Sequence, residues 1–218
     1  VGNAGYTCPS ASAPLARAEG GAASLVADVN AAYDGSGATY DFYKTSFNRD
    51  SIDGAGMTIR STVRSCPNNA VYGCPMQNAF WDGGNAATGH MVYGQGFAAA
   101  DDVVGHELTH GVTQFESNLV YANQSGAINE SLSDVFGEFI DQVNGLGTDT
   151  PAVKWEMGED VPGFGAIRDM EDPGRAPFGD PDRMGPPNYY TGSADSGGVH
   201  TNSGVNNKAA SLIAAGGS

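Results

Sequence analysis

Two histidines and a glutamate stand within residues 106–110, which read His-Glu-Leu-Thr-His. The stretch contains no proline, so we expect a helix, in which residues four apart lie on one face, about 6 Å along the axis. His106 and His110 can therefore chelate one metal ion. Glu107 lies beside that axis, where its carboxylate can reach a water on the metal without being a ligand. This spacing is typical of the zinc-binding helix of hydrolases, although an isolated match can arise by chance.

A third ligand is needed because a catalytic zinc ion commonly has three protein ligands and one open position. Apolar residues recur at helical spacing across residues 125–143, while Glu130, Asp134 and Asp141 mark a different face. We therefore expect a second helix, which supplies Glu130 as the third ligand.

The composition argues against several classes of partner. The chain has 218 residues, 40% of them hydrophobic, and its 10 basic and 25 acidic residues give a formal charge of −15. This acidic excess disfavours nucleic acid and anionic membrane. No apolar run reaches the roughly eighteen residues that span a bilayer. Most of the carboxylates are expected to keep the protein soluble, and a minority to bind calcium.

The three cysteines indicate one local crosslink. Cys66 and Cys74 flank a turn-rich stretch, which favours a disulfide across a hairpin. Such a bridge indicates an oxidising compartment and hence a secreted, extracellular protein. Cys8 is left over, either free or paired outside this chain. The first residues lack the charged and apolar regions of a signal peptide, so we expect a processed N-terminus.

The surrounding segments predict the elements that position these motifs. A short helix is expected over residues 25–33, followed by an aromatic segment that packs on the protein. Apolar and polar residues alternate along residues 57–63, as in a half-buried strand. A hairpin should join this strand to one that begins at Asn78. A last helix is expected over residues 203–215.

Several segments together resemble the thermolysin family of zinc metallopeptidases. The matching segments are His-Glu-Leu-Thr-His at 106–110, Gly-Ala-Ile-Asn-Glu-Ser-Leu-Ser-Asp at 126–134, Asn-Ala-Phe-Trp at 78–81, Met-Val-Tyr-Gly at 91–94, Tyr121, and Asp-Ser-Gly-Gly-Val-His-Thr-Asn-Ser-Gly at 195–204. The resemblance runs from about residue 29 to the end. Segments near the N-terminus resemble the protealysin-like subgroup.

The resemblance implies an α+β, thermolysin-like fold of two lobes, the first β-rich and the second mainly helical. On this basis residues 1–24 are an extended arm and residues 25–100 form an N-terminal α+β lobe. Residues 101–117 are the central zinc-binding helix, and residues 118–218 are the first part of the helical C-terminal lobe.

The resemblance also implies a zinc-dependent endopeptidase. Zinc lowers the pKa of a bound water toward about 7 and polarises the scissile carbonyl, and Glu107 would pass the water proton to the leaving amine. Tyr121 and His200 match the residues that donate hydrogen bonds to the tetrahedral oxyanion. Asp195 would hold His200 in its donating form.

Other residues are candidates for orienting the ligands and binding the substrate. Asn129 and Asp134 would orient the two zinc histidines. Asn78 and Ala79 would hold an extended peptide by strand addition, and Arg168 would contact a substrate carbonyl and pair with Asp134. A pocket for a large hydrophobic residue on the leaving-group side would be formed by Val103, Met157, Val161 and Ile167, with Phe97 as a further contributor. His90, at the rim of the cleft, is expected to be an ordinary surface histidine.

One calcium ion is also expected. Asp102 shares a helix face with His106, and Asp141 lies three turns beyond Glu130, so antiparallel helices would bring the two carboxylates together. With Glu159 nearby they would form an oxygen cage suited to calcium. Residues 155–160 resemble the family's calcium-binding segment, in which the Glu156 carbonyl would be a ligand. Lys154 stands where members with two adjacent calcium ions have an aspartate, so a single ion is expected.

Two alternatives remain: an inactive metal-binding scaffold of the same fold, and a different metallohydrolase. Retention of Glu107, Tyr121 and His200 argues against the first, and the peptide-holding strand at Asn78 against the second. Thermolysin-like chains continue beyond the helix at 203–215, whose apolar side would otherwise be exposed. We therefore expect a C-terminal fragment of the same precursor to associate as a second chain.

Overall fold

The computed structural model of the protein describes residues 15–67, 69 and 71–217. Five α-helices lie in that part of the chain, α1 (Ala27–Phe47), α2 (Asp101–Phe115), α3 (Asn123–Asn144), α4 (Asp195–Asn202) and α5 (Gly204–Ala215), together with a short 3-10 helix (Phe97–Ala99). The strands there are β1 (Ser61–Thr62), β2 (Ala79–Trp81), β3 (Met91–Tyr93), β4 (Glu156–Met157) and β5 (Arg168–Asp169). Cys8 and most of the predicted arm lie outside the described residues. None of the described helices is long and apolar enough to cross a bilayer.

Helices α2 and α3 form the centre of the fold and confirm the two helices expected around the metal. They approach closely at Gly137, where a Cβ atom would lie only 2.6 Å from the Asp102 carbonyl oxygen. On α2, Val104 and Leu108 are fully buried and pack with Met91 and Tyr93 of β3 in the main core. The zinc-binding helix is thus held between the sheet and α3.

The first helix is longer than expected. It continues past residue 33 as a single helix of 21 residues, so the prediction of a short helix over residues 25–33 was wrong. Gly35 is buried in its middle, and a Cβ there would lie 3.2 Å from the Val104 side chain. This close packing on α2 offsets the roughly 1 kcal/mol by which glycine disfavours a helix. The aromatic residues that follow belong to the helix, and the Tyr43 hydroxyl lies 2.8 Å from Thr109 Oγ1.

The sheet order differs from the predicted hairpin. The strands are ordered β1-β3-β2, with β1 parallel to β3 and β2 antiparallel to it. β3 therefore lies between the two segments that were expected to pair. The Cys66–Cys74 disulfide is present, with a Cα–Cα distance of 4.5 Å. It closes a loop between β1 and β2, which pair with β3 and not with each other.

Candidate metal centre

Helices α2 and α3 bring three metal-binding side chains to one point. His106 Nε2 lies 3.0 Å from His110 Nε2. Glu130 Oε2 lies 3.5 Å from His106 Nε2, and Glu130 Oε1 lies 3.2 Å from His110 Nε2. Among the described residues, this is the one set of three such groups whose ligand atoms all lie within 4.8 Å of one another.

The chemistry of this set fits a zinc ion. Glu130 is fully buried, and its Oε2 atom has no hydrogen-bond partner among the described residues. A buried carboxylate oxygen without a hydrogen bond is costly, and a cation there offsets the cost. Burial disfavours a charged His110, but the Glu130 and Glu107 carboxylates outweigh it and raise the pKa of His110 to about 9. The centre thus attracts positive charge, and two imidazoles with one carboxylate form a zinc-type donor set with room for a fourth ligand.

The other nitrogen of each histidine contacts a side chain of α3. His106 Nδ1 lies 2.8 Å from Asp134 Oδ1, and His110 Nδ1 lies 2.7 Å from Asn129 Oδ1. Ser133 Oγ, which the sequence analysis missed, lies 3.1 Å from His110 Nδ1. Contacts of this kind fix the ring orientation that metal binding requires. Asn129 and Asp134 each contact one of the two histidine rings, and their orienting role stays a prediction.

Asp134 also connects the centre to the rest of the protein. Arg168 donates to both of its carboxylate oxygens, at 2.8 and 2.6 Å. Asn207 of α5 donates to Asp134 Oδ2 at 2.7 Å and is almost fully buried. Burial alone would raise the pKa of Asp134, but Arg168 and His106 hold it well below its usual range. Sequence reasoning missed Asn207, although a polar residue inside a predicted amphipathic helix was an available signal.

The candidate base and oxyanion donors lie around the same point. Glu107 Oε2 accepts a hydrogen bond of 3.1 Å from the backbone N–H of Trp81 in β2. The Tyr121 hydroxyl donates to Glu130 Oε1 and lies 3.2 Å from His200 Nε2. Burial and the Glu130 charge raise the pKa of Tyr121, so the hydroxyl remains a donor.

A kink at the start of α4 directs His200 toward the centre. Residues 196–198 have positive φ angles of 52°, 91° and 77°, two of them at glycines. Asp195 contacts His200 through both carboxylate oxygens. Its Oδ1 lies 2.7 Å from the ring Nδ1, and its Oδ2 accepts a hydrogen bond of 3.0 Å from the backbone N–H. This pairing orients the ring, with Nδ1 facing Asp195 and Nε2 facing Tyr121.

An open cleft of about 540 Å³ passes over these groups. Its lining includes five of the predicted substrate residues and Phe97, namely Asn78, Ala79, Val103, Ile167, Arg168 and Phe97. Met157 and Val161 do not line it. They are only 1% and 2% exposed and belong to the same core cluster as Phe97 and Val103, so their contribution to the pocket stays a prediction. His90 is also buried, at 8% exposure, and is not a surface histidine.

The predicted calcium ligands lie in a buried acidic region but do not converge on one point among the described residues. Both carboxylate oxygens of Asp102 accept backbone N–H groups, from Val103 and Gly158. Burial raises the pKa of Asp102 to about 7, and burial with neighbouring carboxylates raises that of Asp141 to about 11 and that of Glu159 to about 8. The Glu156 side chain is paired with Arg175 at 2.7 Å.

A further acid in this region was missed by sequence reasoning. Glu138 of α3 is 1% exposed, and its Oε2 accepts a hydrogen bond of 3.1 Å from the Trp155 backbone. Burial and the charge of Asp102 raise the pKa of Glu138 to about 9. It lies four residues after Asp134 and three before Asp141, on the same helix face, and this spacing was an available signal.

Comparison with known proteins gives two family matches and several relatives. Residues 18–114 match the catalytic domain of thermolysin metallopeptidases, and residues 117–218 match their alpha-helical domain. A zinc metalloproteinase of Renibacterium salmoninarum is 46% identical over 90% of this chain and 37% of its own length. A thermolysin of Alicyclobacillus acidocaldarius is 46% identical over 83% of this chain and 31% of its own length. This chain thus spans about a third of these relatives.

A solved structure is similar as well. The precursor of protealysin, a metalloproteinase from Serratia proteamaculans, superposes with a TM-score of 0.71 at 36% identity, covering 89% of this chain and 63% of that one. The α+β, thermolysin-like fold expected from the sequence is confirmed.

Proposed function

This chain belongs to the thermolysin family of metallopeptidases, and on that premise we propose that it hydrolyses peptide bonds within proteins as a zinc-dependent endopeptidase. The observation that carries the proposal is the convergence of His106, His110 and Glu130 at the floor of an open cleft. Bound there, zinc would supply Lewis acidity, lowering the pKa of a water toward about 7 and polarising the scissile carbonyl.

Side chains of the protein carry out proton transfer, oxyanion stabilisation and substrate binding. Glu107 takes the proton of the attacking water and delivers it to the leaving amine. Its hydrogen bond from Trp81 aims the carboxylate into the cleft. Tyr121 and His200 donate to the oxyanion that develops on the substrate carbonyl, each contributing roughly 3 kcal/mol to transition-state stabilisation if they act as oxyanion-hole donors do elsewhere. Arg168, held by Asp134, contacts a substrate carbonyl, and Asn78 and Ala79 hold the peptide backbone.

The Glu107→Gln variant tests this mechanism. It should bind one zinc per chain as the wild type does, because the ligands are intact, and its kcat should fall at least about a hundredfold because the base is lost. Glu116→Gln, an exposed position directly after the same helix, is the matched control and should retain activity. Near-full activity of Glu107→Gln with zinc bound would contradict the mechanism.

A preference for large hydrophobic residues on the leaving-group side is part of the proposal. Phe97, Val103 and Ile167 support it, because they give the cleft an apolar lining. Burying a leucine-sized side chain contributes roughly 1.5 to 3 kcal/mol, enough to dominate the choice between similar peptides. Cleavage mapping that found acidic residues after the cut would contradict it.

One structural calcium ion is proposed at Asp102, Asp141, Glu159 and the Glu156 carbonyl. The support is the high cost of so many buried carboxylates without a cation. Lys154 lies over the Trp155 ring, 5.9 Å from its centroid, and an ammonium cannot ligate calcium. The Lys154→Asp variant should therefore bind a second ion in titration calorimetry. An unchanged stoichiometry would mean that the neighbouring position lacks further ligands.

Secretion is proposed as well, supported by the Cys66–Cys74 disulfide, since such bridges persist in oxidising compartments. Peptides or proteins are the proposed partners. The association of a C-terminal fragment as a second chain stays a prediction, as does membership of the protealysin-like subgroup.

A further inference from the structure

The loop closed by the Cys66–Cys74 disulfide has no part in the hydrolysis described above, yet it reaches the cleft. Its Tyr72 lines the cleft together with Phe80 of β2. The two rings are stacked, with centroids 5.6 Å apart and planes inclined by 15°. We call this pair, Tyr72 and Phe80, the aromatic wall. Phe80 is only 7% exposed, so Tyr72 is the member of the pair that offers more of its surface to the cleft.

The aromatic wall is separate from the proposed leaving-group pocket. Phe80 packs with Met76 and Val92 in a small apolar cluster against which Tyr72 lies. Phe97 and Val103 belong instead to the main core, which does not include Phe80. The cleft therefore has apolar surfaces at two places. An extended peptide that filled it would present different side chains to each of them.

The position of Tyr72 depends on closure of the loop. Asn69 Oδ1 accepts the backbone N–H groups of Val71 and Tyr72 at 2.9 and 2.8 Å, and the Asn69 N–H donates to the Tyr72 carbonyl at 2.8 Å. Among the described residues of the loop, Val71 is 72% exposed, whereas Tyr72 packs against Phe80. The disulfide joins the two ends of this small turn. Opening it would give Tyr72 many more conformations to lose when a substrate binds.

We propose that Tyr72 is a specificity-determining residue. With Phe80 it forms a subsite for an aromatic or long aliphatic side chain of the substrate, at a position other than the one in the leaving-group pocket. The disulfide keeps this subsite assembled. Aromatic rings interact with one another more favourably than their buried area alone predicts, so an aromatic substrate residue is preferred. The inference rests on the proposed peptidase activity and adds a second point of side-chain selection to it.

A cleavage profile tests the inference. The natural full-length chain, loaded with zinc, is given peptide mixtures in which each position around the cut is varied in turn. The wild type should favour aromatic residues over alanine at one position outside the leaving-group pocket. Tyr72→Ala should lose roughly threefold to tenfold of that preference in kcat/KM, and Tyr72→Phe, which keeps the ring, should retain it. A profile of Tyr72→Ala identical to that of the wild type would overturn the inference.

Two further variants separate the subsite from general effects on the loop. Val71→Ala removes a neighbouring side chain that does not line the cleft, so its profile should match the wild type. The double variant Cys66→Ser, Cys74→Ser should show the profile of Tyr72→Ala while peptides with alanine at that position are cut as before. Melting curves and zinc content are recorded for each variant, and if Tyr72→Ala does not fold, Tyr72→Leu replaces it, because leucine keeps an apolar side chain without a ring.

Failure of the inference can be told from failure of the proposed function. If the peptidase proposal is wrong, the zinc-loaded wild type cuts no peptide in the mixtures. If only the subsite is wrong, the wild type cuts them fully, and the preference at every position is independent of Tyr72.

Discussion

Asp134 is the residue through which the metal centre is tied to three separate parts of the chain. It contacts His106 of α2, Arg168 of β5 and Asn207 of α5, and it is itself fully buried. A buried carboxylate with this many donors remains ionised and keeps one geometry. The orientation of His106 therefore depends on residues up to 101 positions away in the sequence, counted from His106 to Asn207.

Asn207 should accordingly affect zinc affinity without touching zinc. Asn207→Leu removes a donor to Asp134 Oδ2 and loosens the partner of His106, so zinc affinity should fall roughly tenfold to a hundredfold. Competition with a chromophoric chelator measures this directly. Asn206→Leu is the matched control, since Asn206 is exposed on the same helix. Equal affinities for the two variants would show that Asn207 has only a packing role.

At the scale of elements, the separation of α2 and α3 decides whether three ligands meet. His106 and His110 lie on one helix and Glu130 on the other, so a shift between the helices changes the distances from both imidazoles to the carboxylate. The approach is closest at Gly137, where no side chain separates α3 from the backbone of α2 at Asp102. Packing of this kind tolerates little added volume.

Gly137→Ala should therefore destabilise the protein although alanine favours helices. Its Cβ would meet the Asp102 carbonyl oxygen at 2.6 Å, and such overpacking costs roughly 1 to 3 kcal/mol. Gly37→Ala, at an exposed position of α1 with nothing within 4 Å of the added atom, should instead stabilise by about 0.5 to 1 kcal/mol. Thermal melting of the zinc-loaded variants compares them. Similar melting temperatures for both would contradict the close packing of α2 on α3.

At the scale of the whole molecule, some of the acidic residues that give the chain its negative charge are buried inside the protein. The formal charge of −15 includes Asp102 and Glu138, which are each only 1% exposed. Buried carboxylates that lack a cation bind protons more tightly than they do in the unfolded chain. Stability in the absence of calcium must therefore depend on pH.

The sign of this dependence follows from the raised pKa values. Burial first, and neighbouring charges next, raise the pKa of Asp102 to about 7, of Glu159 to about 8 and of Glu138 to about 9, against about 4 in an unfolded chain. Between about pH 5 and 9 the folded state binds more protons than the unfolded state, so the free energy of unfolding falls as pH rises. The lowered pKa values of Glu130 and Asp134 act only at more acidic pH, below this window.

Melting temperatures of the zinc-loaded protein between pH 5 and 9 check this expectation. In a chelator selective for calcium they should fall with rising pH, and excess calcium should flatten the curve because the ion replaces the protons. Glu138→Gln, which keeps an oxygen for the Trp155 backbone, should also flatten it. A flat curve in the chelator would show that these carboxylates are compensated in some other way.

Local sequence was enough to determine the metal ligands and the two helices that carry them. His106 and His110 are about one helix turn apart, so their spacing alone places both on one face. Glu130 lies in a long segment of regular helical period. The neighbouring residues were therefore enough to predict both helices. The Cys66–Cys74 bridge was equally local, since its two cysteines are only 8 positions apart.

Only the tertiary structure decided the features that depend on distant segments. The placement of β3 between β1 and β2 reflects pairing across some thirty residues, which no local period records. Met157 and Val161 are apolar in the sequence whether they face the cleft or the core, and only the folded structure places them in the main core with Phe97 and Val103. Asn207 and Glu138 gain their importance from buried neighbours on other elements. Residue type and local period specify what a side chain can do, whereas burial and partners are non-local and arise only when the chain has folded.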